Sequence, residues 1–167
     1  MATCNVGADN PWEYGKYFAW GETEGYYSNS GHVFDFTTYK FGDEENITKY
    51  NVSDGKMTLD AEDDAANANM GGNWRMPTET DFNELIGNTN YEWIEDYKGT
   101  GINGGLFTSQ VNENTLFFLS AEHWTSNRRT VWDPLQVIRS VIDSAPWLYG
   151  DDDDRADGKC VRGVLDA

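Results

Sequence analysis

Hydrophobic and polar positions fall into their clearest pattern between Gly71 and Leu85. A glycine pair, Gly71-Gly72, precedes Trp74 and Arg75, and Pro77-Thr78-Glu79 opens a helix. Phe82, Leu85 and Ile86 then recur at the spacing of one helical face. Thr78 has N-cap chemistry, and Asp81, three residues on, places a carboxylate near the first-turn amides. Gly87-Asn88 is a stop signal. The pattern predicts a helix from Thr78 to about Gly87, read as scaffold rather than as a site, with Trp20, Trp74, Phe82, Leu85 and Trp124 as the core.

Elsewhere the periods are short. Residues 2–7 predict an opening strand. Asn10-Pro11 pairs a cap with proline at the first helical position, so a short helix or turn is expected from Pro11 to Tyr17. Tyr14, Tyr17, Phe18 and Trp20 read as core or core-edge aromatics. Residues 21–57 are polar without a sustained period. They read as an extended connection with one or two short strands, such as 32–39, a stretch whose length for a structureless loop counts as a warning against that assignment. Small residues at Ala61, Ala65 and Ala66 predict a second helix within 58–70, capped by Asp60. Glu62, Asp63 and Asp64 read either as calcium ligands or as acids complementing the helix dipole on a solvated face.

Residues 91–114 are rich in turn formers. Leu106–Ser109 and Thr115–Leu119 predict two strands of a hairpin turning at Asn112-Glu113-Asn114. Residues 137–149 predict a further hairpin broken near Ser144-Ala145-Pro146, Asp151 to Asp154 form a loop of four acids, and Lys159 to Val164 predict a closing strand. Two helices with short, mostly antiparallel strands make an α+β class, in one domain spanning 1–167.

Composition refines this picture. Seven Trp, nine Tyr and eight Phe accompany seventeen Gly, the profile of a loop-rich fold pinned by large rings. The net charge of −17 argues against a nucleic-acid partner and against anionic membrane surfaces. No apolar run approaches ~20 residues, so no membrane insertion is expected. The chain opens on Met1-Ala2-Thr3-Cys4 without a basic or apolar leader pattern. Its two cysteines, Cys4 and Cys160, read either as two buried thiols or as a disulfide joining the terminal strands. A metal pair is not expected, because neither His32 nor His123 is close to them in sequence.

Motifs for enzymatic chemistry are absent: no GxGxxG, Walker loop, GxSxG, HExxH or CxxC occurs. His123, beside Trp124, reads as a packed ring rather than a general base. No cofactor is expected. From the residues alone the chain is an acidic, aromatic-rich binding domain.

Six short segments resemble, in order, the Fibrobacter succinogenes major paralogous domain family. They are residues 2–8 (ATCNVGA), 17–23 (YFAWGET), 62–66 (EDDAA), 71–78 (GGNWRMPT) and 123–126 (HWTS), and then Arg155 with Gly158 leading into Val161-Arg162. Residues 74–78 are also similar to a segment of formylglycine-generating-enzyme-like domains. The resemblance implies a C-type-lectin-like fold in which two helices flank small twisted antiparallel sheets and the terminal strands pair. Such pairing makes a Cys4–Cys160 contact geometrically reasonable. Two positions depart from the family's closing strand: Gly163, where it usually has Pro, and Cys160, where it usually has Ser.

The family's fold group includes the variable proteins of diversity-generating retroelements, in which mutagenesis rewrites a C-terminal segment that binds ligand. By that resemblance 1–126 is scaffold and 127–160 is the variable segment. Its candidate ligand-binding positions are Arg128, Arg129, Trp132, Asp133, Leu135, Arg139, Val141, Asp143, Leu148, Asp151, Asp152, Asp153, Asp154 and Asp157. Along 138–143 the period of two predicts Ile138, Ser140 and Ile142 inward and Arg139, Val141 and Asp143 outward. Trp132, Trp147 and Tyr149 are candidate anchors, with Trp132 the one expected in solvent.

The expectation is a non-enzymatic display protein on a phage particle or bacterial cell surface, binding a protein or cell-surface ligand. The alternative is a fixed adhesin or glycan-binding module of the same fold. In that case calcium at Asp151 to Asp154 could serve sugar hydroxyls, where a solvated acidic loop is the plainer reading. A formylglycine-type enzyme is disfavoured, because its active-site cysteines should lie close together.

Overall fold

The computed structural model describes residues 1–149 and 155–165, with backbone alone for 146–149. Among the described residues two α-helices, α1 (Ala65–Met70) and α2 (Glu79–Gly87), accompany ten strands. The strands are β1 (Tyr17–Phe18), β2 (Trp74–Arg75), β3 (Thr89–Ile94), β4 (Gly104–Ser109), β5 (Thr115–Leu119), β6 (Glu122–Arg128), β7 (Val137–Ile142), β8 (Pro146–Tyr149), β9 (Lys159–Cys160) and β10 (Val164–Leu165). They form a five-stranded sheet in the order β1-β9-β6-β7-β8, a three-stranded sheet β3-β4-β5 and a two-stranded pair β10-β2. The class is mixed α+β, mostly sheet. All pairings are antiparallel except β6 with β9, which meet in parallel at His123 and Cys160. No helix among the described residues is long and apolar enough to cross a membrane.

Helix α2 forms where its pattern predicts, and its start is a full capping box. Thr78 Oγ1 accepts from the Asp81 amide at 3.2 Å, and Asp81 Oδ2 accepts from the Thr78 amide at 2.6 Å. Arg75 grips the same carboxylate with both nitrogens, at 2.7 and 3.1 Å. Burial alone would raise the Asp81 carboxyl, but Arg75 and Thr78 outweigh it and pull it down to about 2.

Helix α1 is capped by Asp64, not Asp60; residues 61–63 form a separate 3-10 turn. Asp64 accepts from the Asn67 amide at 2.9 Å and from the Met76 amide at 2.8 Å, so one carboxylate starts the helix and ties it to the end of β2.

Several predicted elements differ. Residues 2–7 bend rather than extend, and they meet the C-terminal segment through two backbone bonds, Ala2 N–H to Gly163 O and Val6 N–H to Val161 O, both 2.8 Å. Pro11 and Trp12 form a turn that runs without regular structure into β1, with the Glu13 carboxylate accepting from the Asp9 and Asn10 amides. The predicted closing strand divides into β9 and β10. Between them Gly163 packs closely on Met70 and Trp74, where a Cβ would lie 2.6 Å from Met70 Sδ and 3.0 Å from the Trp74 ring and would need the flexible Met70 side chain to move.

Strand β3 runs into the stretch read as turns, from residue 91 on. Its partner β4 begins with Gly104 and Gly105, whose missing side chains leave room for the Phe117 and Tyr91 rings. Glycine here marks close packing within a strand, not a turn.

The core has two parts. Phe82 of α2 packs with Phe107, Phe118 and Ile142. Trp20 and Trp124 are fully buried and reciprocally anchored: Trp20 Nε1–H donates to Thr125 O and Trp124 Nε1–H to Phe18 O, both at 2.8 Å. Leu85 and Trp74, expected inside, are half-buried, and Tyr14 is exposed. No strand forms at 32–39. The polar stretch instead delivers Tyr39, Phe41, Ile47 and Tyr50 to the core around Trp20.

Candidate ligand-binding face

The outer side of the large sheet and the loop 129–136 beside it carry the predicted site residues. Register places Glu122 opposite Val141 and Trp124 opposite Arg139, so these four share one face of β6 and β7. The opposite face takes Ile138, Ser140 and Ile142, all buried. The predicted alternation holds in its register, and Val141 is half-buried and Asp143 exposed, but the Arg139 side chain is only 13% exposed and Trp124 beside it is buried.

At the centre of this face Glu122 bridges two cations. Its Oε1 lies 3.1 Å from Arg139 Nε and its Oε2 2.6 Å from Lys159 Nζ. Burial alone would raise the Glu122 carboxyl, but the two cations outweigh it and the net shift is downward. Lys159 also lies 3.7 Å from Asp157 and 5.5 Å from the Trp124 ring centroid. Glu122 and Lys159 were not singled out in the sequence, since Glu122 lies before residue 127 and only pairing with β7 and β9 brings it to the face.

The loop divides sharply. Trp132 is 79% exposed and Arg129 is exposed. Arg128, expected on the face, is instead 1% exposed. A bulge between Trp124 and Arg128 turns it inward, where it donates to Asn51 O and Lys56 O at 2.9 Å and to Val131 O at 3.3 Å. Burial lowers its pKa. Leu135, also expected on the face, packs half-buried against the core. Asp133 accepts from the Leu135 amide at 2.9 Å, and Asp143 from the Ala145 amide at 2.9 Å, so both carboxylates hold turns. The Tyr91 hydroxyl donates to Asp143 O. Asp151, Asp152, Asp153 and Asp154 lie outside the described residues, as do the side chains of Trp147, Leu148 and Tyr149.

A second arginine of the segment is equally hidden. Arg155 is 0% exposed; it donates to the Tyr39 hydroxyl at 2.7 Å, Pro134 O at 2.8 Å, Tyr50 O at 3.1 Å and Lys49 O at 3.2 Å. Its guanidinium carbon lies 4.8 Å from the Trp20 ring centroid.

Other candidates take structural roles. Asp60, Glu62 and Asp63 converge, but the Lys49 ammonium sits among them at 3.0, 2.9 and 2.5 Å. Asp63 also receives Lys40 at 2.7 Å and the Tyr50 hydroxyl at 2.7 Å. The 62–64 cluster is therefore neither a solvated face, since Asp63 and Asp64 are buried, nor an open calcium cradle. Cys4 and Cys160 are free thiols with separate partners: Cys4 Sγ faces Asp9 O at 3.6 Å, and Cys160 Sγ faces Tyr14 O at 3.4 Å. Burial pushes the Cys160 thiol up to about 12.

His123 is fully buried against Phe118, and burial pushes its pKa down to about 3, so the ring is neutral. Its Nε2 lies 3.2 Å from Asn5 Oδ1, the atom that also accepts from Arg162 Nε at 2.8 Å, so Nε2 carries the proton. A ring held this way packs as expected and has no open side for a substrate.

Compared with protein-family models, with curated proteins and with solved structures, the chain has no match.

Proposed function

We propose that this chain is a non-enzymatic ligand-binding display domain of C-type-lectin-like fold, of the kind diversified by retroelements. Its ligand is a protein or cell-surface group, met by the outer face of β6–β7–β8 and the loop 129–136. The chain would act on a phage particle or a bacterial cell surface. Two helices beside small sheets, and termini joined by backbone bonds at residues 2 and 6, support the fold reading.

One observation carries the functional reading. Within a single segment, side chains that hold the fold and side chains that face solvent are cleanly interleaved. Arg128, Ile138, Ser140, Ile142 and Arg155 are buried, whereas Arg129, Trp132 and Asp143 are exposed and Val141 is half-buried. A surface built this way tolerates substitution without losing its support.

The decisive test is genomic. A near-repeat of the sequence encoding 127–160, differing at adenines and lying beside a reverse transcriptase gene, is the expected finding. Without it diversification fails, and a fixed adhesin or glycan-binding module is the reading that remains.

A further inference from the structure

A cleft of about 510 Å³ opens between the N-terminal segment 2–8 and the end of α1, and no described residue of 127–160 lines it. Its size is that of a small-molecule site, for which ~300–1,000 Å³ is usual. Among the described residues its lining contains no aspartate or glutamate, in a chain with 29 acids against 12 bases. A second concavity shows the contrast: it is lined by Phe36, Thr37 and the four acids Asp35, Asp43, Glu44 and Glu45.

The single charge in the acid-free cleft is Lys16. Among the described residues no carboxylate lies within ion-pair distance of it. Its ammonium instead sits 5.7 Å from the Tyr27 ring centroid. Its position is built in. Gly7, at φ +80°, leaves the space that the Lys16 stem fills, since a Cβ there would lie 2.8 Å from Lys16 Cγ. The Tyr27 hydroxyl donates to Gly7 O at 2.9 Å and holds the wall in place. Trp74 and Met70 supply an apolar wall, and the Thr3 hydroxyl and Cys4 thiol add polar atoms.

We propose that this cleft binds a small organic monoanion with a flat apolar body, such as an aromatic carboxylate. The anion would pair with Lys16 and the body would lie against Trp74 and Met70. The acid-free lining removes the local repulsion that an anion meets over the rest of so acidic a surface.

Cys4 reports on the cleft from inside. Alkylation of the native protein by anionic iodoacetate and by neutral iodoacetamide, located by peptide mass mapping, gives a rate ratio at Cys4. That ratio should fall about five- to tenfold in Lys16→Gln, the effect of one nearby charge at intermediate dielectric. Benzoate at millimolar concentration should slow both reactions in the wild type and not in Lys16→Gln. Arg129→Gln, on the other face, should leave ratio and protection unchanged. A melting curve confirms that Lys16→Gln is folded. An unchanged ratio in Lys16→Gln, or no protection of Cys4 by benzoate in the wild type, overturns the proposal. Neither result bears on the 127–160 face.

Discussion

Two irregular stretches, 39–57 and 129–136, lie against each other and use their aromatic side chains in opposite ways. In the first, Tyr39, Phe41 and Tyr50 are buried around Trp20; in the second, Trp132 stands 79% exposed. Both are loops without regular ladders, and both carry glycines or turn formers. What separates them is where the buried guanidiniums sit. Arg128 and Arg155 reach from the C-terminal segment into the carbonyls of 49–56, satisfying a backbone that has no sheet partner of its own. The 129–136 loop gives them only Val131 O and Pro134 O, enough to hold its base and leave its tip in solvent. An irregular segment can thus be core or surface according to which side supplies the donors.

The strongest way to break this contrast is Arg155→Met. It strands four oxygen acceptors, and the unfolding free energy from urea denaturation should drop by on the order of 3 kcal/mol or more. Arg128→Met, with three carbonyl partners lost, should cost about 2–3 kcal/mol by the same measurement. An unchanged midpoint in both would mean that the loop is held by its rings alone.

A smaller effect tests the capped helix on which the core rests. Asp81→Asn should lower stability by about 1–2 kcal/mol at neutral pH. The Asp81 carboxyl is depressed on folding, from 3.8 to about 2, so its contribution is complete above the unfolded value and is lost as pH falls through about 2. Denaturation curves of wild type and variant should therefore converge as pH is lowered toward that value.

On the open side of the comparison, Trp132→Ala and Arg129→Ala should each leave stability within about 0.5 kcal/mol. A larger loss for either would place it with the staples rather than on the face. Smallest of all is the response to calcium. With Lys49 filling the acid cluster, millimolar calcium or a chelator should not move the melting temperature, and a rise with calcium would reopen the metal reading of the 60–63 cluster.

How much of this was legible before folding depends on the range of the signal. Helix α2 was readable because its cap, first-turn acid and apolar stripe all lie within ten residues of one another. Alternation along β7 was readable for the same reason, and it put Arg139, Val141 and Asp143 on one side, although the ion pair with Glu122 keeps the Arg139 side chain largely covered. Strand β3 was hidden because the glycines opposite it look like turn formers until Tyr91 and Phe117 are seen lying over them. Arg128 was misplaced because a bulge, invisible in the residue pattern, rotates it inward. Glu122 was passed over because the two cations it joins are seventeen and thirty-seven residues away.

The sequence alone determined the class, the position of one helix, the inward and outward sides of one strand, and a strongly acidic composition. Those properties follow from composition and from periods of two and 3.6 residues, which local sterics and solvent exposure impose directly. Tertiary structure decided which arginines are staples and which face solvent, which aspartate caps α1, and that the polar stretch 21–57 supplies part of the core. It also decided that a lone lysine lines an acid-free cleft. Each of these is a matter of which backbone groups lack partners after the chain has closed, and no local pattern specifies that.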